Sequence, residues 1–171
     1  MDIVIYPHPS LRCGGKQVTD FNDALRDTAK QMFEAMYRQN GVGLAAPQVG
    51  LDLALLVLNP TGDPKKPEEE RAMVNPKIIS KKGKEYGEEG CLSFPGIYGE
   101  VERSIKIVLE YQDLDGNPQE LRADEFLARV IQHEFDHIEG VVFTDRMSSV
   151  EKLRIKKKLE DLEARYQPDP A

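Results

Sequence analysis

Tryptophan is absent from this sequence, cysteine occurs twice and histidine three times. Two thiols, Cys13 and Cys91, are too few for a disulfide framework, so a hydrophobic core has to hold the fold. Basic residues are in deficit: 23 Lys and Arg face 30 Asp and Glu, for a net charge of −7. That balance argues against DNA or general nucleic-acid binding, which relies on cations neutralising phosphates. No window approaches the roughly 20 apolar residues of a membrane span. The start, Met1-Asp2-Ile3-Val4-Ile5-Tyr6-Pro7, lacks the basic region and apolar run of a signal peptide. The expectation is a cytoplasmic protein with no membrane partner. What is present is ordinary: 40% hydrophobic residues over 171 positions, enough for one domain with a core of its own.

Hydrophobic spacing suggests the elements. Ile3–Ile5 reads as a short strand, and Pro7-His8-Pro9 resists helix. Asn22 can cap a helix whose apolar face is Leu25, Ala29, Met32, Phe33, Met36 and Tyr37, ended by Asn40-Gly41. Residues 41–50 read as a small-residue loop and Leu53–Leu58 as a strand. The polar, proline-rich stretch 59–71 reads as a surface loop. Met73–Ile79 and Ile105–Tyr111 look like strands, and Asp115-Gly116 suggests a hairpin turn. Asp124–Glu139 reads as a helix stopped by Gly140. A last helix starts at Ser148, which stands three residues before Glu151 in capping-box spacing, and carries Ile155, Leu159, Leu162 and Tyr166 on one side.

The chemistry is concentrated in His133-Glu134-Phe135-Asp136-His137. Residues four apart on a helix share a face one turn apart, so two imidazoles can hold one ion. The Glu between them sits too far round to ligate but is placed to move a proton. The plain alternative is a solvated face of an amphipathic helix. Two of the three His of the chain falling in this pattern favours the metal site. A catalytic site needs a third protein ligand and an open position. The pattern that places a His six residues after the second one meets Phe143 here, and Glu151, Glu160 and Glu163 sit on a charged terminal helix. Cys91, in Glu89-Gly90-Cys91-Leu92-Ser93, is the better candidate, since a thiolate is a strong ligand and a cation favours its deprotonation. A buried structural thiol and a nucleophilic Cys with His133 as base remain the other readings of that residue.

Three blocks in order, Gly41-Val42-Gly43-Leu44-Ala45-Ala46-Pro47-Gln48, Glu89-Gly90-Cys91-Leu92-Ser93 and Gln132-His133-Glu134-Phe135-Asp136-His137, together resemble the peptide deformylase family. Pro7-His8-Pro9-Ser10-Leu11-Arg12 and Gly140-Val141-Val142-Phe143 resemble it too, so the likeness spans nearly the whole chain. The resemblance implies a single catalytic domain over residues 1–171 with an α+β fold: a central metal-binding helix surrounded by mostly antiparallel sheets, and a C-terminal helix. It implies hydrolysis of the formyl group from the N-terminal formyl-methionine of nascent polypeptides, releasing formate. It also implies one divalent ion per chain, usually Fe2+, which Zn2+, Ni2+ or Co2+ can replace. Cys91, His133 and His137 would be its ligands, with a position left for water, and Glu134 the general base and acid. Family likeness suggests the Gln48 amide and the Leu92 backbone N–H as oxyanion donors, Gly43 as a main-chain contact for substrate, and Val42, Phe126 and Val130 as walls of the methionine pocket.

Three features depart from the family pattern: Arg129 where an apolar residue often stands, Gly87 in place of a bulkier one, and Gly96-Ile97-Tyr98-Gly99. They bear on contacts beyond the methionine. Arg103 is a candidate partner for Asp136. Lys152, Arg154, Lys156, Lys157 and Lys158 read as a solvated face, with a transient ribosome contact as the alternative. Two competing functions are a metallopeptidase with a downstream Glu as third ligand and a non-catalytic module closed by His8 or Cys13.

Overall fold

The computed structural model describes residues 1–170. The elements in order are α1 (Ser10–Cys13), α2 (Asp23–Arg38), β1 (Gly43–Ala45), β2 (Leu55–Leu58), β3 (Arg71–Lys82), β4 (Glu85–Gly90), β5 (Tyr98–Arg103), β6 (Lys106–Gln112), β7 (Pro118–Asp124), α3 (Glu125–Ile138) and α4 (Ser149–Ala164). Short 3-10 turns lie at Ala46–Val49, Pro67–Glu69 and Phe143–Arg146. Five strands form one antiparallel sheet in the order β1-β2-β3-β6-β7, and β4 and β5 form a separate two-stranded ribbon.

The pleat explains where the core sits. All four residues of β2 are buried, and they alternate between two faces. Leu56 and Leu58 join Ala45, Met73, Leu109, Ala128 and Ile131 in the layer between the sheet and α3. Leu55 and Val57 join Met32, Met36, Leu44 and Val74 in the layer under α2. Each fully buried aliphatic side chain of this kind contributes about 1.5–3 kcal/mol. A third cluster, including Leu11, Phe94, Val101, Phe143, Ile155 and Leu162, packs the ribbon against the C-terminal helix. The helix α3 is thus held between the large sheet and the ribbon, the α+β arrangement expected.

Several boundaries match the sequence reading. The Asn22 side chain accepts from the Leu25 amide at 3.0 Å, and Ser148 accepts from the Glu151 amide at 3.2 Å. Gly140 ends the α3 segment in the left-handed region, with φ +74°. The β6–β7 hairpin turns through Asp113–Asn117, where the Asp113 amide donates to the Asn117 carbonyl. Other expectations need correction. Ile3–Ile5 is no strand: the Val4 amide donates to the Gln48 carbonyl in the 3-10 turn and the Tyr6 amide to the Ser93 carbonyl after β4, two isolated bonds to different segments. Residues 41–50 are not a loop throughout, because Gly43–Ala45 pairs with Leu56–Leu58 and Ala46–Val49 makes a 3-10 turn.

Candidate metal centre and active site

The site forms where α3, the end of β4 and the turn after β1 converge. Helical spacing puts His133 and His137 on one face, with ring centroids 5.2 Å apart. Cys91 follows β4 directly, and its Sγ lies 3.5 Å from His137 Nε2. One donor atom from each of Cys91, His133 and His137 falls within 4.8 Å of the others. A tetrahedral ion with a ~2.3 Å bond to sulfur and ~2.1 Å to nitrogen would set its S···N edge at about 3.6 Å. The three donors therefore fit a divalent transition-metal ion, with soft sulfur and two imidazoles as its protein ligands. Among the described residues no fourth Cys, His, Asp or Glu joins this cluster. His8 is engaged elsewhere, with Nδ1 at 2.8 Å from Ser10 Oγ and Nε2 at 2.9 Å from Asp169. Cys13 is an exposed free thiol.

Electrostatics sharpen the picture. Burial lowers the affinity of His137 for a proton well below its usual range, and the neighbouring His133 adds to this. A neutral imidazole is what a ligand must be. Burial pulls His133 the same way, but the Cys91 sulfur and the Glu89 carboxylate outweigh it and hold the ring well above the usual range. A cation among these donors competes with that proton for the Nε2 lone pair. Glu134 is buried, and burial pushes its carboxyl up to about 7 despite the lowering effect of His133. Its Oε2 and His137 Nδ1 are buried polar atoms without a hydrogen-bond partner. A group of this kind costs about 1–3 kcal/mol where nothing satisfies it. Glu134 Oε2 lies beside the converging donors, whereas His137 Nδ1 is the ring nitrogen turned away from the Cys91 sulfur.

The other expected residues fall around this centre. A Cβ on Gly43 would stand 2.7 Å from Glu134 Oε1, so glycine there is what lets the carboxyl lie against β1. Gln48 is held by the backbone three residues earlier: its Oε1 accepts from the Ala45 amide at 2.9 Å, and its Nε2 points to Ser93 Oγ at 3.3 Å and to Cys91 Sγ at 3.4 Å. Far from facing water, it is 1% exposed. Val42, Gly43, Leu92, Phe126 and Val130 line a cleft of about 420 Å3 with Cys91, His133 and Glu134 on its walls. That size suits a side chain or small ligand. His137 and Gln48 lie behind that wall, both against the Cys91 sulfur.

Glu89, beside the converging donors, is not singled out by the sequence. Glu89 Oε1 accepts from His133 Nδ1 at 2.8 Å, fixing the ring so that Nε2 is left for a metal. Arg103 holds the same carboxylate twice, with Nε and Nη2 each at 2.9 Å, and reaches Asp136 on α3 through Nη1 at 2.6 Å. Burial would raise Glu89, but the bonds from Arg103 and His133 win and hold it at about 2. The available signal was an acid two residues before a candidate ligand. The Arg103–Asp136 pair expected from sequence is present, and Arg146 also donates to Asp136, at 3.0 and 2.9 Å.

An α+β fold with a buried His-Glu-x-x-His helix and a cysteine as third donor defines the class: a metal-dependent hydrolase site on a small antiparallel frame. The family model described as polypeptide deformylase matches residues 1–153. A peptide deformylase of Endomicrobium trichonymphae is 44% identical over 154 residues, covering 90% of each chain. A chloroplastic peptide deformylase 1B of Oryza sativa is 43% identical over 169 residues, covering 98% of this chain and 62% of the plant protein. The chain thus spans about 62% of the length of that plant relative. The crystal structure of a peptide deformylase 1B variant from Arabidopsis thaliana superposes with a TM-score of 0.94 at 41% identity, over 100% of this chain and 96% of that one. The Thermotoga maritima enzyme gives 0.80 at 42% identity, over 85% and 96%. The chain belongs to the polypeptide deformylase family.

Proposed function

We propose that this protein, acting as one catalytic domain, removes the formyl group from the N-terminal formyl-methionine of nascent polypeptides. The observation that carries this reading is the placement of Glu134: a buried carboxyl with one oxygen against Gly43 and the other without a partner, beside the three converging donors. Cys91, His133 and His137 would hold one divalent ion, Fe2+ by family likeness. Bound there, such an ion acidifies water and polarises a carbonyl.

The chain's own groups then divide the work. Glu134 takes a proton from the water that adds to the formyl carbon, and delivers it to the amine as the C–N bond breaks. Formate and a free methionyl amine result. Family likeness makes the Gln48 side-chain amide, whose Nε2 here points to Ser93 Oγ and Cys91 Sγ, and the Leu92 backbone N–H the donors for the developing oxyanion. Val42, Phe126 and Val130 receive the methionine side chain, and the main chain at Gly43 aligns the peptide as an added strand would. Cys91 as a ligand distinguishes this reading from a metallopeptidase using a downstream Glu, and Glu151 supports it: that side chain is committed to Arg154 and the Glu100 amide.

We place the action in the cytoplasm. No helix of the described residues is long and apolar enough to cross a membrane. The basic side of α4 is the surface to test for a transient ribosome contact. The deciding experiment measures formate released from a formyl-methionyl tripeptide by anaerobically prepared, Fe2+-loaded protein. Rapid release with an acetyl-methionyl control left intact is the expected result; release of an internal peptide fragment in place of formate would favour the metallopeptidase.

A further inference from the structure

Arg129 and Gly87, two residues singled out in the sequence, meet in the structure. Arg129 stands one helical turn before His133, so both side chains leave the same face of α3. Its Nη1 donates to Glu89 Oε2 at 2.8 Å and to the Val101 carbonyl at 2.9 Å, and its Nη2 donates to the Glu85 carbonyl at 2.9 Å. The guanidinium fills the space that a side chain at position 87 would take: a Cβ on Gly87 would stand 2.9 Å from its Cζ and 3.0 Å from Nη2.

These bonds tie specific parts together. Glu85 and Glu89 lie on β4, which leads straight into Cys91, and Val101 lies on the paired strand β5. The helix carries His133 and His137. Arg103 joins the ribbon to Asp136, and Arg129 makes a second join one turn before His133, so the two ties bracket that ligand. With Arg103 on both oxygens and His133 on Oε1, Arg129 supplies the fourth hydrogen bond to Glu89 and completes its acceptor capacity.

We propose that Arg129 is a positioning residue for the metal centre, setting the spacing between Cys91 and the two imidazoles and locking the His133 ring through Glu89, and that position 87 is glycine to admit it. This rests on the reading of Cys91, His133 and His137 as ligands. Arg129 and Gly87 then form one coupled device that reaches the metal side, although Arg129 also stands on the wall of the cleft.

Cobalt(II) is the probe. Affinity is measured by chelator competition and the thiolate-to-cobalt absorption by spectroscopy, alongside melting of each protein. Wild type should bind one Co2+ per chain with a thiolate band. Arg129→Met should bind it about tenfold more weakly, with a shifted band, as loss of a partner outside the ligand shell typically does. Arg129→Lys, able to keep one of the three bonds, should fall between. Gly87→Val should copy Arg129→Met by displacing the guanidinium, and the double variant should be no weaker than either single one. Unchanged cobalt affinity and band in Arg129→Met would overturn the proposal even if its melting temperature fell. If that variant does not fold, a wild-type band and affinity in Arg129→Lys overturn it instead. Cobalt bound to wild type without a thiolate band would remove Cys91 from the ligand set, which defeats the site reading itself and the proposal with it.

Discussion

The helices α3 and α4 are close in length, 14 and 16 residues, yet they use polar residues in opposite ways. Along α3, Gln132, His133, Glu134, Asp136 and His137 are all buried. Along α4 the charges other than Glu151 face water, only Ile155 and Leu162 are buried, and Val150 and Leu153 are left exposed. A polar group inside a protein costs free energy unless it is paired, so every buried polar residue on α3 has to be accounted for. Gln132 bonds the Ser104 backbone through both its oxygen and its nitrogen, Asp136 bonds two arginines, and His133 bonds Glu89. What is left over is Glu134 Oε2, beside the proposed site of chemistry, and His137 Nδ1, the ring nitrogen on the far side from the Cys91 sulfur. A helix that buries charge is built for function; a helix that solvates it is built for cover.

The contrast can be broken at its strongest point first. Glu134→Gln should keep its metal, counted by elemental analysis, while formate release falls roughly 10²–10⁴-fold, the usual weight of a proton-transferring group. Retained turnover would end the assigned role. Next in size, Arg103→Met leaves Glu89 and Asp136 without their shared buried partner and should lower unfolding free energy by about 3–5 kcal/mol, read from urea denaturation. A loss below about 1 kcal/mol would mean that Arg129 and Arg146 already satisfy those acids. On α4, Ile155→Ala should cost about 2–4 kcal/mol by the same assay, with activity per folded molecule unchanged. Smallest of all, Leu153→Ser on the exposed side should shift stability by no more than about 0.5 kcal/mol. A larger drop that depends on protein concentration would show that this face is covered by another copy.

How much of this was legible in the sequence follows the same line. The helices α2, α3 and α4 announced themselves because their apolar residues recur with helical spacing, and at α2 and α4 a polar cap side chain accepts a first-turn amide. The ribbon strand β4 did not. Its residues, Glu85-Tyr86-Gly87-Glu88-Glu89-Gly90, have no apolar alternation, because the inward positions hold a glycine that makes room for Arg129 and an acid that meets Arg103. A hydrophobic pattern cannot reveal a face packed with ions. Strand β1 was hidden for a related reason: Gly43 is small because Glu134 presses on it, so the strand looks like a loop. Ile3–Ile5 erred the other way, since β-branched residues suggest a strand but no neighbouring strand pairs with them.

At the site, the three candidate ligands, which the structure brings together, and Glu134 beside them were readable because His-Glu-x-x-His has a mechanical meaning on a helix. Their supports were not, because Glu89 and Arg129 come together only through tertiary pairing. Arg129 stands on the wall of the cleft, as expected, but turns its charge inward to Glu89.

The chain of charges running His133–Glu89–Arg103–Asp136–Arg146 begins at the metal donors and ends on a half-exposed arginine in the turn after α3. Helix, ribbon and turn all contribute members, so none can open alone without stranding a buried charge on the others. Local breathing, which most proteins permit in small independent pieces, is therefore suppressed across this whole region. Backbone amides of α3 and of β4 and β5 should exchange with solvent deuterium together, at the slow rate of one cooperative unit, while those near the end of α4 exchange first.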